Sequence, residues 1–214
     1  MMIGRRCLIT GGAALLLAAG DPLPVPPSNR LLFQVVRGGS VIGTHRLDFV
    51  RSAGGLQVSV NVVMQVTFGP IRLFHYRHHA LEIWNGDQCV SVASETDHNG
   101  EQLQVNARRD AAGWSVDGSK GHLRAPADTL PATHWNKKML QGPMINTETG
   151  SVMRPHIADL GRDQVTAYMT APITAEHYVM SGDAQMETWY DAAPSWAGAR
   201  FKGGDGSDIR YERA

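Results

Sequence analysis

Cysteine is scarce in this sequence, with two among 214 residues, Cys7 and Cys89. Cys7 lies in a segment that we interpret below as a leader, so a processed chain would keep Cys89 alone and could form no internal disulfide. Cys89 belongs to an alternating apolar stretch, which predicts a buried and unreactive thiol. A fold held together by disulfides is therefore excluded.

An excess of one charge is also lacking, because 20 basic residues balance 20 acidic ones. Removal of the leader takes away Arg5 and Arg6 and leaves 18 basic against 20 acidic residues. The basic residues are scattered along the chain rather than clustered. This balance predicts no nucleic-acid partner and no binding to an anionic membrane surface.

Long apolar runs are missing beyond the N-terminus, which predicts no integral membrane segment in the mature chain. Residues 1–20 combine Arg5-Arg6 with an apolar run and the small residues Ala18-Ala19-Gly20. This order is typical of a signal peptide, and the arginine pair is typical of the twin-arginine type, with a general secretory signal as the alternative. Residues 21–29 are rich in proline and predict an extended tether. We therefore expect export to the periplasm.

Helical periodicity is missing as well, because no 3.6-residue period persists over ten residues. Apolar and polar residues alternate instead in seven or eight segments between residues 30 and 126, separated by turn signals such as Asn85-Gly86 and Asn99-Gly100. Further short segments follow after residue 150, with Gly161 read as a turn. The pattern predicts one all-β domain, residues 30–214, whose antiparallel strands form a curled or barrel-like sheet.

One segment interrupts this alternation, a long crossover loop at about residues 127–150. A connection of this length in a compact domain is either functional or disordered, and its apolar side chains argue for order. We place the candidate ligand-binding residues here and on the strand at residues 71–84, where a histidine-rich run occurs. The candidates are His134, Trp135, Asn136, Asn146, His75 and Arg77.

The chemistry of these candidates leaves several interpretations open. His134 is a potential base, Trp135 a pocket wall and Asn136 an orienting group, but all three are also consistent with a structural role in which Trp135 plugs the barrel end and His134 and Asn136 bond to loop backbone. His75 and His79 share a strand face and lie roughly 13 Å apart, too far to bind one metal directly. With no G-x-S-x-G and no C-x-x-C motif, the sequence predicts no nucleophilic triad, no metal site and no cofactor.

Short motifs in the right order carry a resemblance to known families. The closing pattern around Trp189-Tyr190-Asp191 and Asp205-Gly206-Ser207, with Val41-Ile42-Gly43 near the start, resembles exported bacterial β proteins of the DUF3108 neighbourhood. The His134-Trp135-Asn136 triplet followed by Pro143-Met144-Ile145-Asn146-Thr147 is similar to the DUF6134 family. The resemblance implies an exported all-β fold, a curled sheet like that of periplasmic lipid-handling proteins. It implies no activity.

Three functions fit these observations. The first is a periplasmic protein that binds a hydrophobic or amphipathic, lipid-like small molecule inside the sheet, covered by residues 130–150. The second is a periplasmic enzyme that uses His134 with Asn136 or His75 for proton transfer. The third is a purely structural envelope protein with a fully packed interior. A packed interior favours the third function, a cavity the first, and an inward His134 beside another titratable group the second.

Overall fold

The computed structural model describes residues 23–193 and 195–214. The predicted signal peptide, residues 1–20, and the first two residues of the predicted tether lie outside the described residues. From residue 23 the chain already packs on the domain, because Leu23 is buried in the main core and Val25 packs against it. In the described part of the chain, no helix has the length and apolar character needed to cross a membrane.

Sixteen strands and one 3-10 helix make up the described structure. The strands are β1 (Arg30–Arg37), β2 (Ser40–Ser52), β3 (Gly55–Phe68), β4 (Ile71–Asn85), β5 (Gln88–His98), β6 (Glu101–Asp110), β7 (Gly113–Gly118), β8 (Gly121–Ala125), β9 (Leu130–Pro131), β10 (Met144–Ile145), β11 (Val152–Met153), β12 (His156–Val165), β13 (Ile173–Ser181), β14 (Met186–Tyr190), β15 (Trp196–Lys202) and β16 (Asp208–Arg213). The 3-10 helix spans Lys137–Gln141.

Thirteen of these strands form one antiparallel sheet, in the order β12-β13-β14-β15-β16-β1-β2-β3-β4-β5-β6-β7-β8. Strands that are adjacent in the sheet are also consecutive in the sequence, with one exception. The exception is the pair β16 and β1, which lie near opposite ends of the sequence. The edges are β8 and β12, so the sheet is curled but not closed. The prediction of an all-β domain with a curled, barrel-like sheet is confirmed.

Local sequence explains the first half of this sheet. In β3, Val58 and Val60 belong to an alternating row that is buried on the concave face, while the residues between them are more exposed. At the β5–β6 turn, Asn99 and Gly100 both have positive φ, 54° and 97°. Such turns match the natural twist of paired strands, which is why Asn-Gly marks tight hairpins. The predicted meander of seven or eight strands is confirmed, with eight strands, β1 to β8.

The second half departs from prediction at β12. The sequence predicts a turn at Gly161 between two short segments. The chain instead runs as one strand, His156–Val165, with an irregularity in its pairing between Asp159 and Arg162. Gly161 has a φ of 82°, so it is accommodated by a bulge that keeps the strand continuous.

The crossover enters the concave side of the sheet. It contributes the 3-10 helix and a small sheet in the order β11-β10-β9. The ring of Trp135 is fully buried and packs edge-on against Phe49 and Trp84, which belong to the large sheet. The prediction of an ordered crossover holds, but Trp135 fills the interior rather than covering it.

Large side chains fill much of this interior. Trp84, Trp114, Trp135 and Trp196 are each at most 1% exposed. Cys89 is buried among the same residues, and burial raises the pKa of its thiol well above the ordinary value. The predicted inert cysteine is consistent with that position.

Candidate functional site

His134 faces the inner wall of the sheet. Its φ is +68°, an uncommon value for a residue other than glycine. Its ring stacks on Trp196 with centroids 5.1 Å apart and an interplanar angle of 27°. The side chain is half-buried, its Nδ1 has no hydrogen-bond partner among the described residues, and burial lowers its pKa to about 4.

His45 meets Trp196 from the neighbouring wall. It lies on the inner face of β2, 4% exposed, with its ring edge-on to Trp196 at 5.0 Å and to Tyr211 at 5.2 Å. Neither ring nitrogen has a partner in the described part of the chain. Burial lowers the pKa of His45 well below its ordinary value, and the nearby His134 and His78 lower it further. His45 is therefore a neutral imidazole with one free donor and one free acceptor.

Two more polar groups without partners adjoin Trp196. Tyr190 lies opposite it in the β14–β15 ladder, and Ser195 precedes it in the chain. The Tyr190 hydroxyl and Ser195 Oγ are buried and make no hydrogen bond within residues 23–193 and 195–214. We call these five residues, His45, His134, Tyr190, Ser195 and Trp196, the Trp196 site.

A concentration of this kind is unusual. The large majority of buried side-chain polar atoms in proteins have a partner, and each one left without a partner costs about 1–3 kcal/mol. The Trp196 indole N–H is itself satisfied, donating to the Gly198 carbonyl at 2.9 Å. The site therefore combines a fixed aromatic wall with unused, uncharged donors and acceptors.

Trp135, another of the candidate ligand-binding residues, holds the crossover against the large sheet. Its indole N–H donates to Glu82 Oε2 at 3.0 Å, and Trp84 donates to the same oxygen at 2.7 Å. Glu82 is fully buried. Burial raises its pKa, and the two indole hydrogen bonds partly oppose that effect. This arrangement ties the crossover to β4.

The two predicted asparagines shape loop backbone. Asn136 Oδ1 accepts from the Lys138 N–H at 3.1 Å and caps the 3-10 helix, while its Nδ2 is buried without a partner in the described chain. Asn146 Oδ1 accepts from the backbone N–H groups of Glu148 and Thr149 at 2.8 and 3.1 Å. Their amide oxygens are therefore occupied by the fold.

His75 and Arg77 do not join His134. They lie on the convex face of β4, where His75 is buried with its Nε2 3.6 Å from Asp97 Oδ2, and Arg77 is exposed. The concave face carries His78 in their place. The sheet therefore separates these two predicted residues from the crossover triplet.

Sequence reasoning missed His78 and His45. His78 contacts the hydroxyls of Thr96 and Thr147 through its two ring nitrogens, at 2.8 and 3.3 Å. Burial lowers its pKa to about 4, and Glu148 partly opposes this. A usable signal existed for His45, because the alternation in β2 places it on the same face as Leu47 and Phe49.

The chemistry available at the Trp196 site is hydrogen bonding rather than metal binding. Among the described residues, no group of three or more histidine, cysteine or acidic side chains is placed to hold a metal ion. Neutral imidazoles, a phenol and a hydroxyl beside aromatic rings are suited to binding a molecule that has both polar and apolar parts.

Comparisons with known proteins agree with the fold. A sequence model described as a domain of unknown function, DUF6134, matches residues 33–214. The structure is similar to the crystal structure of a beta-barrel-like protein of domain of unknown function DUF1849 from Brucella abortus, with a TM-score of 0.61 and 11% identity. The alignment covers 86% of this chain and 94% of that chain. At this identity the likeness shows the fold alone. A search of curated proteins gave no match.

Proposed function

Because the chain belongs to the DUF6134 family, whose description assigns no function, we propose from the geometry that it is an exported periplasmic protein that binds a small, uncharged amphipathic molecule at the Trp196 site. The proposal of export is supported by the arginine pair, apolar run and small residues at positions 1–20.

One observation carries the proposal of binding, the concentration of buried polar atoms without partners around Trp196. His45 offers two such atoms, and His134, Tyr190 and Ser195 offer one each. A bound molecule with hydroxyl, amide or ester groups would satisfy them. Binding would be favourable because it would relieve the desolvation penalty of these buried atoms, which make no hydrogen bond in the free protein.

The ligand should be uncharged. Burial keeps His45 and His134 neutral at pH 7, since the pKa of each lies well below its ordinary value. A cationic ligand would be left without a countercharge there, and an anion would have to draw a proton into the site to gain one. A neutral molecule meets both imidazoles as they are.

A cleft next to the site offers a route. It has a volume of about 310 Å³ and is bounded by residues 24–28, the start of β1 and the end of the chain. Ser195, a member of the Trp196 site, lines it. The part of the sheet interior around Glu82 is filled by Trp84, Trp114 and Trp135. The proposed binding is therefore confined to the part of the interior around Trp196.

The geometry supports catalysis less well. His75 lies on the other face of the sheet, and Asn136 Oδ1 is occupied by the Lys138 N–H. With a pKa of about 4, His134 is a weak base at neutral pH. These positions favour binding over proton transfer as the role of the site.

Native mass spectrometry on protein purified from a periplasmic extract tests the proposal, with denatured protein from the same preparation as reference. We expect a bound organic mass that leaves on denaturation and that is lost in His45→Phe, which removes both free nitrogens but keeps an aromatic ring. His122→Phe, at an exposed position on β8, is the matched control and should keep the bound mass. A bare protein mass in the wild type, or a bound mass retained by a folded His45→Phe variant, would refute binding at this site and favour a structural role.

A further inference from the structure

A second cleft lies on the opposite, convex face of the sheet, where β12 to β16 run side by side. Its volume is about 310 Å³, at the lower end of the roughly 300–1,000 Å³ typical of small-molecule pockets. Asp163, His177, Glu187, Trp189, Arg200 and Arg210 are among its lining residues. None of them belongs to the Trp196 site, and we call this feature the outer cleft.

Trp189 gives the outer cleft a built floor. It is 6% exposed and packs in a small apolar cluster with Val165, Ala175 and Ala197, separate from the main core. Its indole nitrogen is buried and has no hydrogen-bond partner in the described part of the chain. Because Trp189 lines the cleft, a ligand bound there could supply the acceptor that this buried N–H lacks.

His177 is held flat on that floor. Its ring stacks on Trp189 at 4.3 Å with an interplanar angle of 16°. Glu187 Oε2 is 3.0 Å from His177 Nε2, and Asp163 Oδ2 is 3.8 Å from Nδ1. Because both ring nitrogens face carboxylates and the side chain is only 8% exposed, the ring is fixed before any ligand arrives.

Hydrogen-bond donors and acceptors lie next to each other along the rim of the outer cleft. Arg210 Nε donates to Glu212 Oε1 at 2.9 Å, and Arg200 Nη2 lies 3.5 Å from Asp208 Oδ2. Each guanidinium group retains further N–H donors, and each carboxylate retains further acceptor positions. The cleft therefore presents donors and acceptors around a rigid aromatic base.

Three kinds of ligand can be compared with this lining. A simple amine would suit Asp163 and Glu187 but could not accept the Trp189 N–H. A simple anion would suit the arginines and the indole but would face four carboxylates, those of Asp163, Glu187, Asp208 and Glu212. A hydroxyl group both donates and accepts, so a molecule with several hydroxyls can satisfy both sets without bringing a charge.

We propose that the outer cleft binds a small polyhydroxylated ligand, a saccharide of one or two rings. Its hydroxyls donate to Asp163 and Glu187, and one of its oxygens accepts the indole N–H of Trp189. This site is independent of the proposed function at the Trp196 site, from which the sheet separates it.

Saturation-transfer NMR and calorimetry with N-acetyl-D-glucosamine, D-glucose and maltose test the proposal, with L-glutamate and putrescine as charged comparators. We expect at least one saccharide to bind with a millimolar or tighter dissociation constant. Trp189→Phe keeps the ring and removes the N–H, and should weaken binding about tenfold, the value of one hydrogen bond. Asp117→Asn, at an exposed position on β7, is the control and should bind like the wild type.

Other outcomes overturn the proposal. Absence of binding by all three saccharides does so, as does binding that folded Trp189→Phe leaves unchanged, or selective binding of L-glutamate or putrescine. The variant His45→Phe separates the two proposals, because it should leave saccharide binding intact while it removes the ligand of the Trp196 site.

Discussion

Mild acid should destabilise this protein through its buried histidines. The pKa values of His78 and His134 are both lowered by burial from 6.5 to about 4. As the pH falls through 6.5 the unfolded chain binds protons at these rings, whereas the folded protein binds them only near pH 4. The stability that these neutral rings contribute is therefore fully present above pH 6.5 and is lost as the pH falls towards 4.

The size of the effect follows from the same values. At pH 5 an imidazole with a pKa of 6.5 when unfolded and about 4 when folded loses about 2 kcal/mol of stability relative to neutral pH. His78 and His134 together lose about 4 kcal/mol, a large share of the roughly 5–15 kcal/mol typical of a domain. His45 acts in the same direction, because its pKa is also lowered by burial.

Urea denaturation at pH 7.5 and pH 5.0 measures this loss. We expect wild-type protein to lose about 2 kcal/mol more stability between these pH values than His78→Gln, whose amide still offers hydrogen bonds to Thr96 or Thr147. His156→Gln, at an exposed position at the start of β12, should lose as much as the wild type. An equal acid-induced loss in wild type and His78→Gln would refute the reasoning.

Two further predictions concern the interior. Trp135→Phe removes one of the two indole donors to Glu82 and should lower the free energy of unfolding by about 1–3 kcal/mol; an unchanged urea midpoint would contradict the anchoring role. Gly43→Ala places a Cβ 1.9 Å from the backbone oxygen of Val63 and should destabilise the protein by about 3 kcal/mol or prevent folding. Gly204→Ala, where a Cβ meets nothing within 4 Å, is its control, and equal thermal midpoints for these two variants would show that β2 and β3 can separate at low cost.

The elements that could be predicted are those that depend on neighbouring residues. The strands β1 to β8 lie within residues 30–126, where the alternation predicts them, and Asn99-Gly100 forms a turn, because alternation and turn residues act over a few positions. The face of β4 was harder to assign. Leu81 and Ile83 lie on one side of it, while Ala80 and Trp84 lie on the other, so the apolar pattern does not decide which histidines face inward.

The Trp196 site could not be predicted in the same way. His45 lies on β2 and Trp196 on β15, two strands that are not adjacent in the sheet. Their contact exists only because the sheet curls, and His134 reaches them only because the crossover packs inside the curl. The apolar residues of that crossover, such as Met144 and Ile145, would be buried equally well by a loop covering the sheet, so composition alone did not distinguish the two arrangements.

The pairing of β1 with β16 has a consequence for how the chain folds. Phe33 lies opposite Arg213, near the other end of the sequence, while the hairpins on either side are local. Contacts of such high sequence separation are slow to form, since a long loop must be closed before they contribute any stability. Until β16 arrives, both β1 and β15 present an unpaired edge that can recruit another chain. We therefore expect aggregation during folding to compete with the joining of these two strands, so that refolding yield should fall as protein concentration rises.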